Sequence, residues 1–158
     1  MSTQVRVLRS GEPLTDHLEQ FKQYASVPDD GRDAILLKML KRAMLSVQAF
    51  SDRAMLPCLL ELKTTDVEPG ETIRLYQGGK EVTAVTDSDG NDVAFIREGD
   101  AIRVPYGAKA LTVTYENEVI PADADALLPV CWELATAIYD GEDTKVQGEI
   151  LRKVYGML

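Results

Sequence analysis

At 158 residues, with 45% apolar and 27% charged side chains, the chain has the size and composition of one globular domain with a real core. No apolar stretch approaches the ~20 residues of a membrane span. The segment Met1 to Val7 lacks the apolar run of a secretory signal, so synthesis in the cytosol is expected. The net charge of −9 is uneven: residues 1–57 carry +1, residues 58–119 carry −6 and residues 120–158 carry −4. Such a balance argues against tight nucleic-acid binding, which needs several phosphates neutralised by Lys or Arg.

In chain order, residues 1–12 read as mostly irregular, with a short strand-like stretch from Gln4 to Leu8. Pro13-Leu14-Thr15-Asp16 is a helix entry: Thr15 is placed to cap, and Asp16 suits the positive end of the helix dipole. Leu14, Leu18, Phe21 and Ala25 share one face, and the helix is expected to stop at Val27-Pro28. Pro28-Asp29-Asp30-Gly31 reads as a turn, with Asp30 and Asp33 spaced as an acidic capping box. The helix from Ala34 to Phe50 follows. Its stripe of Leu36, Leu40, Ala43, Val47 and Phe50, widened by Leu37, Met39 and Met44, can be covered on two sides, while Lys38, Lys41, Arg42 and Gln48 are assigned to the surface.

From Cys58 the apolar period switches to two. Leu60, Leu62; Ile73, Leu75; Val82, Ala84; Val93, Phe95; Ile102, Val104; and Leu111, Val113, Tyr115 predict six short strands joined by turns rich in Gly, Pro and Asp. An antiparallel meander or small barrel-like sheet is expected. After Ile120-Pro121 the helical period returns. The main helix is expected to start near Leu128 with Pro129 in its first turn; a longer helix kinked at Pro129 is the alternative. Val130, Leu134, Ala137 and Ile138 line one face, flanked by Trp132 and Tyr139. Gly141-Glu142-Asp143 breaks the run before a last helix over Val146 to Met157, with Ile150, Val154 and Met157 on one side. The chain thus reads as a single α+β domain, residues 1–158: a small bundle of three to four helices (13–56 and 120–158) with a long antiparallel β insert (57–119) between the second and third main helices.

Motifs for chemistry are thin. Asp87, Asp89, Asn91 and Glu98 fall at the spacing of calcium ligands in an EF-hand loop. The sharp-turn position holds Asp92 instead of Gly, and strands flank the loop, so a hairpin turn is the reading. His17 is the sole histidine, and no Ser or Cys stands in a recognisable relation to it. Gly78-Gly79-Lys80 lacks the upstream Gly and following Ser/Thr of a phosphate loop. Cys58 and Cys131 read as small buried hydrophobes. No catalytic, cofactor-binding or metal-binding residue is assigned, and no enzymatic activity is expected.

The run Leu14 to Lys22, Val27 to Asp30, Asp33 to Leu36, Ala43, Val47, Phe50-Ser51-Asp52-Arg53, then Ile120-Pro121 and Ala135 to Tyr139, resembles the phage head–tail connector (adaptor) family over residues 13–143. The family's aromatic-Thr-Gly-Arg-like helix exit is here Phe50-Ser51-Asp52-Arg53. The resemblance implies a structural virion protein of a tailed bacteriophage or prophage, made in the bacterial cytoplasm and placed at the head–tail junction. It implies a homo-oligomeric ring below the portal protein that extends the DNA channel, meets tail-completion proteins, and passes genomic DNA without sequence-specific binding or membrane contact. Acidic residues of the insert, among them Glu81, Asp87 and Asp92, would then repel DNA in the channel. A β-rich binding module on a helical base, for sugar or another virion protein, is the second reading. It calls for aromatic residues clustered on one sheet face, and Tyr76, Phe95, Tyr106 and Tyr115 are those available.

Overall fold

A computed structural model of the chain describes residues 2–27 and 31–157. The fold is α+β, and the described residues form four α-helices and two antiparallel sheets. The chain divides into two compact units, one of residues 1–10 and 57–118, the other of residues 11–56 and 119–158.

In the helical unit, α1 (Thr15–Ala25) buries Leu18 and Phe21. Thr15 does not cap it: Leu14 holds the N-cap position, with no side-chain cap, and its own side chain is exposed. The helix ends at Ser26 in the left-handed region. Of the turn expected at residues 28–31, Pro28, Asp29 and Asp30 lie outside the described residues, and with them the capping box. Helix α2 (Asp33–Ser51) buries Leu36, Leu40, Ala43, Met44 and Val47, while Phe50 at its end is exposed. Lys22 of α1, only 6% exposed, reaches Asp33 at the start of α2 at 2.9 Å, so an ion pair joins the two helices.

Gln48 corrects the sequence reading most sharply. Assigned to the surface, it is wholly buried, and its Oε1 accepts hydrogen bonds from the backbone N–H of Met55 (2.9 Å) and Leu56 (3.2 Å). Residues after a helix end need partners for their backbone groups, and one amide side chain supplies them here. The helix itself closes at Asp52 with φ 59°, a left-handed cap that glycine adopts at least cost.

Helix α3 runs unbroken from Pro121 to Tyr139, so it begins about two turns before the expected start at Leu128. Pro121 occupies its first turn, and Pro129 lies inside. Proline in a helix removes the bond to the carbonyl four residues earlier, here that of Asp125. Pro129 and Asp125 are both exposed, so solvent can serve that carbonyl. Burial of Ala124, Leu127 and Leu128 before the proline, and of Val130, Cys131 and Leu134 after it, holds the two halves in one helix. Helix α3 packs against α2 and against α4 (Thr144–Arg152), whose N-cap Asp143 accepts from Val146 N–H at 3.0 Å. The expected last helix is therefore two pieces: α4, then one 3-10 turn over Lys153–Gly156 that buries Val154 and leaves Met157 exposed.

In the β unit, the segment read as mostly irregular at the N-terminus is a full strand, β1 (Thr3–Ser10). It pairs with β2 (Cys58–Val67), which pairs with β7 (Ala108–Asn117), which pairs with β4 (Gly79–Asp87). The order β1-β2-β7-β4 is not a meander. A second sheet places β6 (Ala101–Val104) between β3 (Glu71–Arg74) and β5 (Ile96–Glu98). The strand expected around Val93 and Phe95 starts later, at Ile96; Val93 instead hydrogen-bonds Val85 O, and Phe95 is exposed. The buried side of the four-stranded sheet is read from its register: Leu60 opposite Tyr115, Leu62 opposite Val113, Val113 opposite Val85. Gly79 lies so close under the Tyr115 ring that a Cβ there would sit 2.5 Å from it and 2.6 Å from Leu75 Cβ.

Two outcomes follow for stability. Gln48→Leu leaves two buried N–H groups without an acceptor and should cost about 2–4 kcal/mol in urea unfolding, where Gln48→Glu should cost less because an acceptor remains. Gly79→Ala should cost about 1–3 kcal/mol by overpacking against Tyr115, read as a lowered melting temperature.

Candidate functional site

The β unit presents a charged surface. Directly opposed residues share a sheet face, and three cross-strand rows make up the outer face of the four-stranded sheet. One row reads Arg9, Leu59, Glu116, Glu81; the next Arg6, Glu61, Thr114, Ala84; the third Gln4, Lys63, Thr112, Thr86. A bulge between Val7 and Arg9 adds one residue to β1, which puts Arg9 on this face in the place Leu8 would otherwise take.

The charges separate across the sheet. At the β1–β2 margin, Arg6 Nε binds Glu61 Oε1 at 2.8 Å and Lys63 Nζ stands 3.8 Å from the same oxygen. Gln4, Val5, Arg6, Glu61 and Lys63 line a shallow cleft there. Two cations, Arg6 and Lys63, thus share one carboxylate, and Arg9 adds a third positive charge in the neighbouring row. At the β7–β4 margin, Glu81 lies opposite Glu116, both exposed, and like charges so placed repel.

The structure places the residues singled out from sequence as follows. Asp87 Oδ1 accepts the backbone N–H groups of Asp89 (2.9 Å) and Asn91 (3.0 Å), and Gly90 takes φ +81°. Glu98 is paired instead with Arg103 of the neighbouring strand at 2.8 Å. Two carboxylates of the EF-hand-like spacing, Asp87 and Glu98, are thus engaged in a turn and a strand pair, and Asp92 bridges back to Thr86. Among the described residues no group of three or more His, Cys, Asp or Glu side chains converges as a metal site would need. His17 sits half-buried in the first turn of α1, its Nδ1 making no hydrogen bond among the described residues. Lys80 of the glycine pair's motif is held by Glu118, and a strand follows where a phosphate loop requires a helix. Of the four aromatic residues available for a binding platform, Tyr115 is interior, donating its hydroxyl to Tyr76 O at 3.2 Å. Tyr106, at 84% exposed, stands on the turn into β7, and Arg74 lies over the Tyr76 ring at 5.4 Å.

The segregated face went unread in the sequence, because it depends on register and on the bulge at Leu8. The alternation Gln4-Val5-Arg6-Val7 was the available signal: Val5 and Val7 oppose Leu62 and Leu60, and Arg6 takes the other side.

No protein-family model and no curated protein matches this chain. Among solved structures it is similar to a chain in the neck of an empty gene transfer agent particle, computed with C6 symmetry. That match has TM-score 0.62 and 17% identity, and it covers 87% of this chain and 84% of the other. It is likewise similar to a chain of the native gene transfer agent virion, with TM-score 0.56 and 16% identity over 86% and 84% of the two chains. At these identities the likeness is one of fold.

Both cysteines are buried. Burial pushes the Cys131 thiol from 9.0 up to about 12, a backbone hydrogen bond opposing it weakly. The folded state favours the protonated thiol, so this stabilisation is complete below pH 9 and is lost as pH rises through about 12. Iodoacetamide at pH 8 should leave Cys131 unmodified in the native protein and modify it in denaturant, as read by peptide mass mapping.

Proposed function

We propose that this chain is a head–tail connector (adaptor) subunit of a phage-like particle: a structural, non-enzymatic protein. It assembles with copies of itself into a ring below the portal and extends the DNA channel toward the tail. The observation that carries this reading is the similarity in fold, over 87% of the chain, to a protein in a particle neck computed with C6 symmetry. The order of elements supports it independently, since the succession from Leu14 to Tyr139 resembles the connector family. Portal protein and tail-completion proteins are the partners in this reading, and genomic DNA passes without base-specific contact. The acidic excess of residues 58–119, six Lys or Arg against twelve Asp or Glu, suits a wall along which a polyanion slides.

Native mass spectrometry over a wide concentration range tests the reading, with addition of portal-bearing particles as the second arm. A closed ring whose subunit number is a multiple of six, alone or on the particle, is the expected result. A chain that stays monomeric in solution and is not taken up by the particle overturns it.

A further inference from the structure

The outer face of the four-stranded sheet carries an electrostatic imbalance that the single chain does not resolve. In the row Arg9, Leu59, Glu116, Glu81, the cation stands at one margin and two opposed carboxylates at the other. Adjacent strands are spaced by about 4.8 Å, so three spacings separate Arg9 from Glu81 by roughly 14 Å. That exceeds the screening length of about 8 Å at physiological salt. Arg9 therefore cannot neutralise Glu81 within its own chain. Among the described residues, Arg9, Glu81 and Glu116 take part in no ion pair, whereas the other charges nearby are matched: Arg6 with Glu61, Lys80 with Glu118. Repulsion between Glu81 and Glu116 is left standing at an open edge of the sheet.

We infer that the β1 margin of this sheet docks against the β4 margin of a second copy of the same chain, with Arg9 of one copy facing Glu81 and Glu116 of the next. The inference deepens the connector reading and rests on it, because it names the surfaces by which the ring's subunits meet. The charge pattern also selects the symmetry. A two-fold contact would set Arg9 against Arg9, or the carboxylate pair against itself. A head-to-tail contact sets opposite charges together at every junction, which is the heterologous arrangement that closes a ring. Backbone geometry decides how the margins meet. Strand β4 is bulged between Gly79 and Glu81 and again between Val82 and Ala84, and the returning residues Asn91 and Val93 hydrogen-bond Asp87 and Val85. Bulged and covered edges resist strand addition. Side-chain ion pairs, and not a continuous hydrogen-bonded sheet, therefore make the contact.

Charge exchange tests this, read in whichever of the two assays above the wild type assembles. Arg9 and Glu81 are exposed, so Arg9→Glu and Glu81→Arg should fold as the wild type does, checked by thermal melting. Each single variant should assemble at least about tenfold more weakly, and the double variant Arg9→Glu/Glu81→Arg should recover most of the loss. Wild-type assembly should also weaken as salt is raised. Single variants that assemble like the wild type, or a double variant that recovers nothing, overturn this interface while leaving the ring in place. A wild type that assembles in neither assay removes the ring and the interface together.

Discussion

The antiparallel pairing of β2 with β7 is the constraint on which the rest of this molecule depends. Leu60 and Leu62 lie opposite Tyr115 and Val113, all buried, and Cys58 N–H donates to Asn117 Oδ1 at 2.7 Å where the two strands end. This pair brings the entry and exit of a sixty-residue excursion side by side. It allows α2 and α3, far apart in sequence, to pack as direct neighbours. It also gives β1 and β4 the two flanks on which they add, so every charged row of the outer face is indexed on β2 and β7. A disturbance at this pair displaces both flanking strands, whereas loss of β5, three exposed residues at the edge of the smaller sheet, leaves that register intact.

What was legible in the sequence follows from what periodicity can encode. The helix stripe of Leu36, Leu40, Ala43 and Val47 repeats over about three turns, and its burial was readable because nothing local competes with it. Five of the six alternating segments from Cys58 to Tyr115 were readable for the same reason, Val93 and Phe95 being the exception. Their partners were not, since alternation states which side chains face inward and leaves silent which strand lies beside which. The N-terminal strand was passed over because a four-residue alternation is weak until β2 is there to receive it. Pro129 misled in the opposite direction: a local helix-breaking signal was outweighed by apolar burial on both sides of it.

Polar residues resisted reading most. Gln48 follows Lys38, Lys41 and Arg42 on a helix whose polar side chains otherwise face water, and its burial serves the backbone of Met55 and Leu56, a need that exists only once the chain has turned. Lys22 is similar: its ammonium is tied to Asp33 across the α1–α2 turn. The charged face of the β unit is the same lesson on a larger scale. Its arginines and carboxylates are scattered over more than a hundred residues, and only the register collects them into rows.

The discontinuous make-up of the β unit has a consequence for how the protein is made. Strand β1 is synthesised before α1 and α2, and its partner strand β2 follows only after both helices are complete. Strand β2 must then wait for β7. At roughly 5–20 residues per second, that interval lasts on the order of 3–10 seconds. Throughout it, the alternating apolar strand Cys58–Val67 has at most β1 for company, and one of its edges is open. The helices α1 and α2 are likewise complete before α3 exists to cover them. The β unit can finish only after β7 has emerged, and the helical unit only after α3 and α4, so each must wait for a partner that comes late in the chain.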